Sequence, residues 1–248
     1  MTFEDLVAEG EAVPVEGWDF SWFAGRATEE RPPWGYARLL ADRMASASAG
    51  LDVQTGGGEV LAGIHRAPPV LKATESWPPN VEIARRNLAK FGAEVVEVAD
   101  DADLPFPAES FDLVASRHPT VTVWPEIGRV LRPGGAYFSQ QIGAGTVHEL
   151  TEFMMGPQPI GEGRRTGRAV EAAEAAGLSV LDLREASLRM EFFDVGAVVH
   201  FLRKVIWIVP GFTVSQYRDR LAALHERIEA EGPFVAHSKR FLIEARKL

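Results

Sequence analysis

Apolar residues change their spacing repeatedly between positions 50 and 186 of the chain. Short apolar runs alternate with segments in which apolar residues return every three or four positions, and Gly and Pro separate the two kinds. The short runs predict strands, and the longer spacing predicts helices. Strands are expected at 50–54, 70–75, 95–100, 111–116, 136–142 and 178–186, and helices at 58–64, 80–91, 122–131 and 166–176. This alternation predicts βαβ units and a mostly parallel sheet.

The two ends of the chain depart from this alternation. Residues 1–48 are polar and carry scattered aromatic residues, and within them only 37–47 have helical composition. Residues 194–206 and 213–231 are predicted helices, and apolar and charged residues alternate over 234–247. That last alternation predicts a seventh strand, antiparallel to its neighbours. The expected fold is therefore α/β, with a mostly parallel seven-stranded sheet flanked by helices and closed by an antiparallel C-terminal strand.

The aromatic residues near the start of the chain allow two interpretations. Trp18, Phe20, Trp22 and Phe23 cluster before the predicted helix at 37–47. They belong either to a segment packed on a sheet edge or to a flap that covers a ligand, because Trp and Tyr also favour pocket walls.

The composition limits the class of protein. The 248 residues are 46% hydrophobic and 25% charged, the balance of one globular domain. A formal net charge of −9 argues against a broad nucleic-acid surface, which needs clustered Lys and Arg. Cysteine is absent, so disulfides and thiolate zinc sites are excluded. Because there is no signal pattern and no apolar run of the ~20 residues that a membrane span needs, we expect a soluble, cytoplasmic protein.

Three consecutive glycines, Gly56, Gly57 and Gly58, stand where the first core strand passes into a helix. Glycine allows positive φ at such a turn and lets a ligand approach bare backbone. The N-terminus of the following helix adds unpaired N–H groups and a partial positive charge. The turn fits a dinucleotide-binding Gly-x-Gly-x-x-Gly only in part, since its third position is Leu61. Alone, it predicts a site for an anionic or carboxylate-bearing cofactor.

Acidic residues end the next two predicted strands. Glu75 lies 23 positions after Asp52, at the same end of the sheet as the glycine turn, and its carboxylate can accept hydrogen bonds from a ribose diol. Trp77 follows in the next loop, where an indole can pack on an adenosine. Asp100 ends the third strand, and its carboxylate can accept from the exocyclic amine of an adenine.

Further motifs follow in a fixed order: Leu104-Pro105-Phe106, then residues 111–114 of the fourth strand, then Leu131-Arg132-Pro133-Gly134-Gly135. Together with residues 52–58, Glu75 and Asp100-Asp101-Ala102, this series resembles the class I S-adenosylmethionine-dependent methyltransferases over about residues 51–141. The resemblance implies a Rossmann-like sheet, S-adenosyl-L-methionine as cofactor and methyltransferase activity. The cofactor-binding residues that it implies are Asp52, Gln54, Thr55, Gly56, Gly58, Glu75, Ser76, Trp77, Asp100, Asp101, Ala102, Ser116 and Arg117.

Gln54 departs from the pattern of that family, which has glycine at this position. Its side chain either lines the methionine end of the cofactor or turns away from it. Within the same pattern Asp52 is expected to order the turn rather than to touch the ligand. A second, more general similarity, through Gln140-Gln141-Ile142-Gly143 and Asp194-Val195-Gly196-Ala197, is to uncharacterised bacterial methyltransferases and implies no substrate.

Ser116-Arg117-His118-Pro119 leave the fourth core strand at its carboxyl end, where ligands of open α/β sheets bind. His118 is the candidate general base, because an unperturbed pKa of about 6.5 suits proton removal near neutrality. The alternative is a histidine that hydrogen-bonds the cofactor or the loop backbone. The expected substrate-lining residues are Trp34, Tyr36, His118, Phe193, His200 and Trp207. The other histidines lack ligand spacing, so no metal site is expected.

We therefore expect one methyltransferase domain over 1–248, with a helical and aromatic flap (1–48), a cofactor-binding core (49–186) and substrate-lining helices with the last strand (187–248). The expected reaction moves a methyl group to an O or N atom of a small molecule by direct displacement. Two alternatives stay open: an RNA methyltransferase and a non-catalytic cofactor-binding protein of the same fold. The RNA alternative would use Arg164, Arg165, Arg168, Arg203 and Lys204 as phosphate contacts. The sequence indicates no oligomeric state.

Overall fold

The computed structural model describes residues 1–15 and 20–248, so Trp18 lies outside the described residues. The chain divides into two compact units. Unit 1 holds the described part of 1–31 together with 144–161 and 187–239, and unit 2 holds 32–143, 162–186 and 240–248. The border between 186 and 187 coincides with a predicted one, whereas residues 32–48, expected in the flap, belong to unit 2. The single-domain organisation stays a prediction.

The described residues contain eight strands, which join one sheet. They are β1 (Ala27–Glu29), β2 (Ala49–Val53), β3 (Val70–Glu75), β4 (Glu94–Glu97), β5 (Phe111–Arg117), β6 (Leu131–Ile142), β7 (Leu178–Phe192) and β8 (Phe234–Lys247). Their order is β1-β7-β8-β6-β5-β2-β3-β4. The pairs β2–β3, β2–β5, β3–β4 and β5–β6 are parallel, and β6–β8 and β1–β7 are antiparallel. The mixed α/β sheet with an antiparallel last strand is confirmed.

The predicted count of seven strands is wrong by one. The additional strand, β1, pairs antiparallel with the end of β7, where Ala27 faces Phe192. Three residues are too few to show an alternating pattern, which is why the sequence does not reveal β1. The same pairing explains why β7 runs to Phe192 rather than ending at the predicted position 186.

The structure contains nine helices of the α type among its described residues. They are α1 (Phe3–Ala12), α2 (Tyr36–Ser46), α3 (Glu59–Ala62), α4 (Pro78–Leu88), α5 (Trp124–Val130), α6 (His148–Met155), α7 (Thr166–Ala175), α8 (Val195–Lys204) and α9 (Val214–Glu231). The sequence did not predict α1 and α6. Helix α4 starts two residues earlier than expected, because two prolines occupy its first positions, where their missing N–H groups cost nothing.

In unit 2, the helices cover both faces of the sheet with apolar side chains. Leu40 and Met44 of α2 and Leu88 of α4 are buried on one face. Trp124 of α5 and Ala173 of α7 are buried on the other. A parallel sheet buried on both faces leaves the carboxyl ends of its strands as the place for a ligand.

Unit 1 is built around α8, which is buried on nearly all sides. Helices α1 and α8 approach closely, and a Cβ atom added to Gly10 of α1 would lie 2.5 Å from the carbonyl oxygen of Gly196. Only glycine permits that contact, so the approach of these two helices depends on both residues. Leu221 and Leu224 of α9 complete this apolar core. Among the described residues of both units, no helix has the length and apolar character to cross a lipid bilayer.

Candidate functional site

The glycine turn joins the end of β2 to α3 through a set of short backbone contacts. Gly56 and Gly58 have φ values of +65° and +74°, which side chains other than glycine adopt with strain. The N–H of Thr55 donates to the carbonyl oxygen of Thr74 at 2.9 Å, so the turn is fastened to the neighbouring strand β3. The N–H of Gly56 donates to Oε2 of Glu75 at 2.8 Å. The turn and the acid at the end of β3 therefore form one hydrogen-bonded unit.

Asp52 is buried beneath this turn. Its Oδ2 accepts a hydrogen bond of 2.7 Å from Oγ1 of Thr55. Burial raises the pKa of Asp52 to about 7, against hydrogen bonding by Thr55 and the positive charge of Arg117, which lower it. A buried carboxyl that is bonded to the turn from below fits the ordering role that the family pattern implies for it.

Glu75 is also buried, with 7% of its surface exposed. Besides the bond from Gly56, its Oε1 accepts from the backbone N–H of Trp77 at 3.1 Å. Each carboxylate oxygen thus accepts one backbone hydrogen bond and keeps further acceptor capacity. Apart from its two chain neighbours, no described residue would approach a Cβ atom added to Gly56 closer than 3.9 Å. The space that a side chain would take at Gly56 is therefore left free by the rest of the described chain.

Gln54 has its side chain across the crevice between β2 and β5. Its Nε2 donates to the carbonyl oxygen of Val121 at 2.7 Å, and its Oε1 accepts from the N–H of Thr120 at 2.7 Å. The hydroxyl of Thr120 in turn contacts the carboxylate of Asp100. Gln54 also has a φ of +56°. Gln54 thus has a left-handed backbone conformation at a position where the family pattern has glycine. Its contacts link the segments that follow β2, β4 and β5.

A cavity lies in this crevice, entirely within unit 2. It holds about 390 Å³ of empty space, part of it open to solvent. Its lining residues come from the ends of β2, β3 and β5, from β6, from the segment after β4, and from the loop before α5 together with that helix; they include Val53, Gln54, Thr74, Asp100, Ala102, Leu104, Ser116, Pro119, Thr122 and Tyr137. The carboxyl ends of the parallel strands therefore form a concave site, as the sequence predicts.

The segment after β4 is held against α5 by two charged side chains. Oε2 of Glu126 accepts from the N–H of Leu104 at 2.7 Å. Arg129 donates to the carbonyl oxygens of Leu104 and Phe106, both at 2.8 Å. A hydrogen bond from Arg129 lowers the pKa of Glu126 and keeps its carboxylate charged. These contacts hold the segment from Leu104 to Phe106 beside the cavity, which Leu104 lines.

Buried hydroxyl groups form the floor of the cavity. Oγ of Ser116 lies 2.7 Å from the Tyr137 hydroxyl and 2.8 Å from Oγ of Ser139. Nε2 of Gln141 donates to the Tyr137 hydroxyl at 3.3 Å. The Tyr36 hydroxyl donates to the carbonyl oxygen of Ser116 at 2.9 Å. Satisfied buried networks of this kind rigidify the part of a protein that holds them.

His118 directly follows β5 and has a φ of +55°. Its Nε2 lies 2.8 Å from Nε2 of Gln140, whose Oε1 accepts from the indole N–H of Trp34 at 2.7 Å. Burial, and after it the charges of Arg240 and Arg117, lower the pKa of His118 well below 6.5. The side chain is neutral near pH 7, and one of its ring nitrogens is already engaged by the protein. The general-base role stays a prediction.

Two of the four non-glycine residues with positive φ in the described chain stand at the crevice, namely Gln54 and His118. They directly follow two neighbouring parallel strands, since Val53 of β2 pairs with Ser116 of β5. Strained backbone of this sort persists where the surroundings enforce it, often at functional sites. This feature marks the crevice independently of any motif.

The structure brings most predicted cofactor residues together. Asp52, Thr55, Gly56 and Glu75 are joined by hydrogen bonds, and Gln54, Asp100, Ala102 and Ser116 line the cavity. Asp101, Trp77 and Arg117 lie exposed at the same end of the sheet, with Ser76 between Glu75 and Trp77. Their contacts with a cofactor stay predictions.

The six predicted substrate-lining residues fall into different units. Trp34, Tyr36 and His118 belong to unit 2, where the first two are buried and hydrogen-bonded. Phe193, His200 and Trp207 belong to unit 1. Phe193 is exposed, Trp207 is half-buried, and His200 is 1% exposed. The ring of His200 stacks on Phe23 with centroids 5.0 Å apart.

Three residues at the crevice were missed by the sequence reasoning: Thr120, Tyr137 and Gln140. Thr120 follows His118 in the loop after β5, and the other two lie on β6. The polar residues of β6 could have indicated this part of the site from the sequence. Polar side chains in a buried central strand need hydrogen-bond partners nearby.

The cationic side chains that the RNA alternative would use interact with other groups of the protein. Arg165 pairs with Glu162 at 2.8 Å, and Arg168 pairs with Glu171 at 3.0 Å. Arg203 donates to the carbonyl oxygen of Gly10 at 2.8 Å. Lys204 contacts the carbonyl oxygen of Val15 at 3.5 Å, and burial lowers the pKa of Arg164. No cluster of three or more His, Asp or Glu side chains suited to a metal ion occurs in the described part of the chain.

Comparison with known proteins agrees with this geometry. Residues 51–139 match the family described as a methyltransferase domain. The chain is 30% identical over 192 residues to the Nocamycin O-methyltransferase of Saccharothrix syringae, a match that covers 73% of this chain and 58% of that protein. The chain thus spans less than two thirds of the length of that relative.

Solved structures share the fold at lower identity. The YcgJ protein of Bacillus subtilis is similar with a TM-score of 0.61 and 17% identity, over 86% of this chain and 97% of that one. Geranyl diphosphate methyltransferase in complex with S-adenosylmethionine is similar with a TM-score of 0.52 and 12% identity, over 86% and 84% of the two chains. The sheet order, the crevice and the matched residues agree: residues 51–139 form a methyltransferase domain, and the chain has the fold of the class I S-adenosylmethionine-dependent methyltransferases.

Proposed function

We propose that this chain transfers the methyl group of S-adenosyl-L-methionine to a small-molecule acceptor by direct displacement. The observation that carries the proposal is the joined unit of Glu75 and the glycine turn beside an open crevice. The name of the relative from Saccharothrix syringae, an O-methyltransferase, supports an oxygen atom as the acceptor.

The residues of the crevice fit that cofactor. Glu75 is buried and keeps acceptor capacity on both oxygens, which suits two ribose hydroxyls. The bare backbone of Gly56 leaves room for the methionine part, and the exposed indole of Trp77 suits packing on the adenosine. Asp100 and Ala102 line the cavity where an adenine would be held. We assign these four roles to Glu75, Gly56, Trp77 and the pair Asp100 and Ala102.

When bound, the cofactor supplies a methyl group that its sulfonium has already activated. The contribution of the chain is then alignment of the acceptor and exclusion of water. The hydroxyl floor of Ser116, Tyr137 and Ser139 supplies rigidity beneath the site. His118, at the end of β5, is the titratable side chain that we assign to the acceptor.

The RNA alternative is not supported by the charges of the structure. The arginines at 165, 168 and 203 pair with carboxylates or with backbone carbonyls. The formal net charge of −9 also disfavours a broad phosphate-binding surface.

One observation favours the non-catalytic alternative. The side chain of Gln54 bridges the crevice with bonds of 2.7 Å to Thr120 and Val121. A bridge that persists when the cofactor is bound would leave less room in the crevice for a methyl acceptor. Cofactor binding that is never followed by transfer of a labelled methyl group to small molecules from a cell extract would support this alternative.

Calorimetric titration with S-adenosylmethionine tests the proposal, with Glu75→Ala as the informative variant. This variant removes the ribose acceptor and leaves the N–H groups of Gly56 and Trp77 without their partner. We expect affinity to fall at least about 30-fold, or about 2 kcal/mol. Glu97→Ala is the matched control, because Glu97 is an exposed carboxylate that pairs with Glu75 across the two neighbouring strands. Absence of binding by the folded wild-type chain at about millimolar cofactor would overturn the proposal.

A further inference from the structure

Three side chains, those of Trp34, Gln140 and His118, form a hydrogen-bonded chain near the end of β5. Trp34 and Gln140 are buried, with 5% and 3% of their surfaces exposed. The backbone reinforces the chain, because the N–H of His118 donates to the carbonyl oxygen of Gln140 at 2.7 Å. The position of the imidazole is thus held at two points.

The order of donors along this chain follows from its first member. An indole nitrogen only donates, so the atom of Gln140 that faces Trp34 at 2.7 Å is the amide oxygen. The amide NH₂ group therefore faces His118 and donates to its Nε2 at 2.8 Å. A nitrogen that accepts carries no proton. His118 is then the neutral tautomer with its proton on Nδ1.

The charges around His118 favour the same state. Arg117 precedes it on β5 and Arg240 belongs to β8, and both, after burial, lower the pKa of the ring. To act as a base through Nδ1, His118 would have to move its proton to Nε2 and break the bond from Gln140. The other acidic side chains at the carboxyl end of the parallel strands already accept hydrogen bonds. Asp52 accepts from Thr55, Glu75 from Gly56 and Trp77, and Asp100 from Thr120.

We propose that His118 donates a hydrogen bond from Nδ1–H to the methyl acceptor, and that the acceptor is an oxygen which is anionic before the transfer, as in a carboxylate or an enolate. This inference rests on the proposed function. A hydrogen-bond donor that lies in the positive field of Arg117 and Arg240 favours an anionic oxygen, and no free base is needed for it. Trp34 and Gln140 are positioning residues, which act only by fixing the tautomer.

The step balances without a base. A bond forms between the acceptor oxygen and the methyl carbon, and the bond from sulfur to that carbon breaks. Its electron pair stays on sulfur, so the positive charge of the sulfonium and the negative charge of the acceptor both disappear. No proton is released, because the acceptor lost its proton to solvent before it bound.

The tautomer is tested in the chain alone by nitrogen NMR of ¹⁵N-histidine-labelled protein, with His118→Asn to assign the signals. We expect a protonated Nδ1 and an unprotonated Nε2 for His118. Gln140→Glu should reverse the tautomer, since a carboxylate accepts from both Trp34 and Nε2–H. A wild-type ring protonated at Nε2, or a Gln140→Glu variant with the wild-type tautomer, would contradict the proposal. This outcome does not depend on cofactor binding, so it is separate from the Glu75→Ala test.

The acceptor class is tested by titrating four probes in the presence of S-adenosylhomocysteine: phenylacetate, benzoylacetone, phenylethanol and phenylethylamine. We expect phenylacetate, and benzoylacetone at a pH above its own pKa, to shift the Nδ1–H signal. His118→Ala should weaken phenylacetate binding at least about 10-fold, whereas His118→Asn, whose amide N–H can replace Nδ1–H, should weaken it less than about 3-fold. A shift produced only by phenylethanol or phenylethylamine, or by none of the four, would overturn the assignment.

Discussion

The two units bury polar side chains in different ways. In unit 2, the polar residues Ser116, Ser139 and Gln140 are almost fully buried, and each has a hydrogen-bond partner. In unit 1, the Nδ1 atoms of His200 and His225 are buried and have no hydrogen-bond partner among the residues that the structure describes. His200 instead contacts the rings of Trp22 and Phe23, both with centroids 5.0 Å away.

This difference separates precise positioning from apolar packing. A satisfied polar network has one arrangement, because moving any member leaves another unpaired. Apolar contacts are less directional, and a core that consists of them tolerates changes of shape more readily. Unit 2 is accordingly suited to align a cofactor. Variants that alter one buried polar group at a time test this contrast.

The largest effect is expected for Asp52→Asn in unit 2. Burial raises the pKa of Asp52 from 3.8 to about 7. The folded state therefore binds more protons than the unfolded state between these values, so its stability is greatest below pH 3.8 and declines as pH rises through 7. Asn does not titrate and can still accept from Thr55. In urea unfolding the variant should be more stable than wild type by about 4 kcal/mol at about pH 8, and by about 2 kcal/mol at about pH 5.

Asp112→Asn is the matched control, because its sign is opposite. The Asp112 carboxylate accepts from the N–H groups of Ser48 and Ala49 and from the Ser48 hydroxyl. Burial raises its pKa, but these bonds together outweigh burial and lower it. Loss of the charged acceptor should therefore destabilise the protein above pH 3.8. Equal responses of the two variants would show that burial does not distinguish the two carboxyl groups.

A smaller effect of opposite pH dependence is expected for His200 in unit 1. Burial, and after it Lys204 and Arg203, lower its pKa from 6.5 to about 4. The contribution of the neutral His200 ring to the free energy of unfolding is complete above pH 6.5 and is lost as the pH falls through about 4. Relative to His200→Leu, wild type should lose about 3 kcal/mol between these values, measured by urea unfolding. His65→Leu removes an exposed histidine and serves as control. A parallel pH course of wild type and His200→Leu would refute the prediction.

The sequence predicted the parts of the fold that repeat a local pattern. The strands β2, β3 and β5 lie within a residue of their predicted bounds, since an apolar run between turns needs no distant information. The strand β1 was missed because its reason to exist is its pairing with β7, 163 positions away at the contact of Thr28 with Glu191. Helix α1 was missed although Thr2 and Asp5 form a capping box at its start.

The part of the site that sequence motifs describe could be predicted. Glu75 and the glycine turn follow from spacing alone, and the structure joins them directly. The link between Trp34 and Gln140 spans 106 positions and leaves no local pattern, so the orientation of His118 could not be inferred. The pKa of His118 depends on the same tertiary contacts. Sequence therefore located the titratable group, whereas its protonation state required the fold.

The smallest effect is expected for Gln54→Gly, which removes one polar bridge of unit 2. The variant loses the bonds to Thr120 and Val121 but relieves a non-glycine residue at a φ of +56°. These contributions oppose each other at about 1 kcal/mol each, so stability should change little. Cofactor affinity in calorimetry should rise about fivefold, because binding would no longer have to break the bridge.

Gln54→Ala separates the two contributions, since alanine removes the bridge and keeps the strained backbone. If the bridge obstructs the cofactor, both variants should bind more tightly, and only the glycine variant should also keep the stability of the wild type. If both variants bind more weakly, the amide of Gln54 contacts the cofactor rather than closing the crevice. The direction of change in affinity thus decides whether the residue that departs from the family pattern lines the methionine end or must turn away from it. In either case the effect should be absent from Thr151→Val, which removes a hydroxyl bond of 3.0 Å to Ile208 within unit 1.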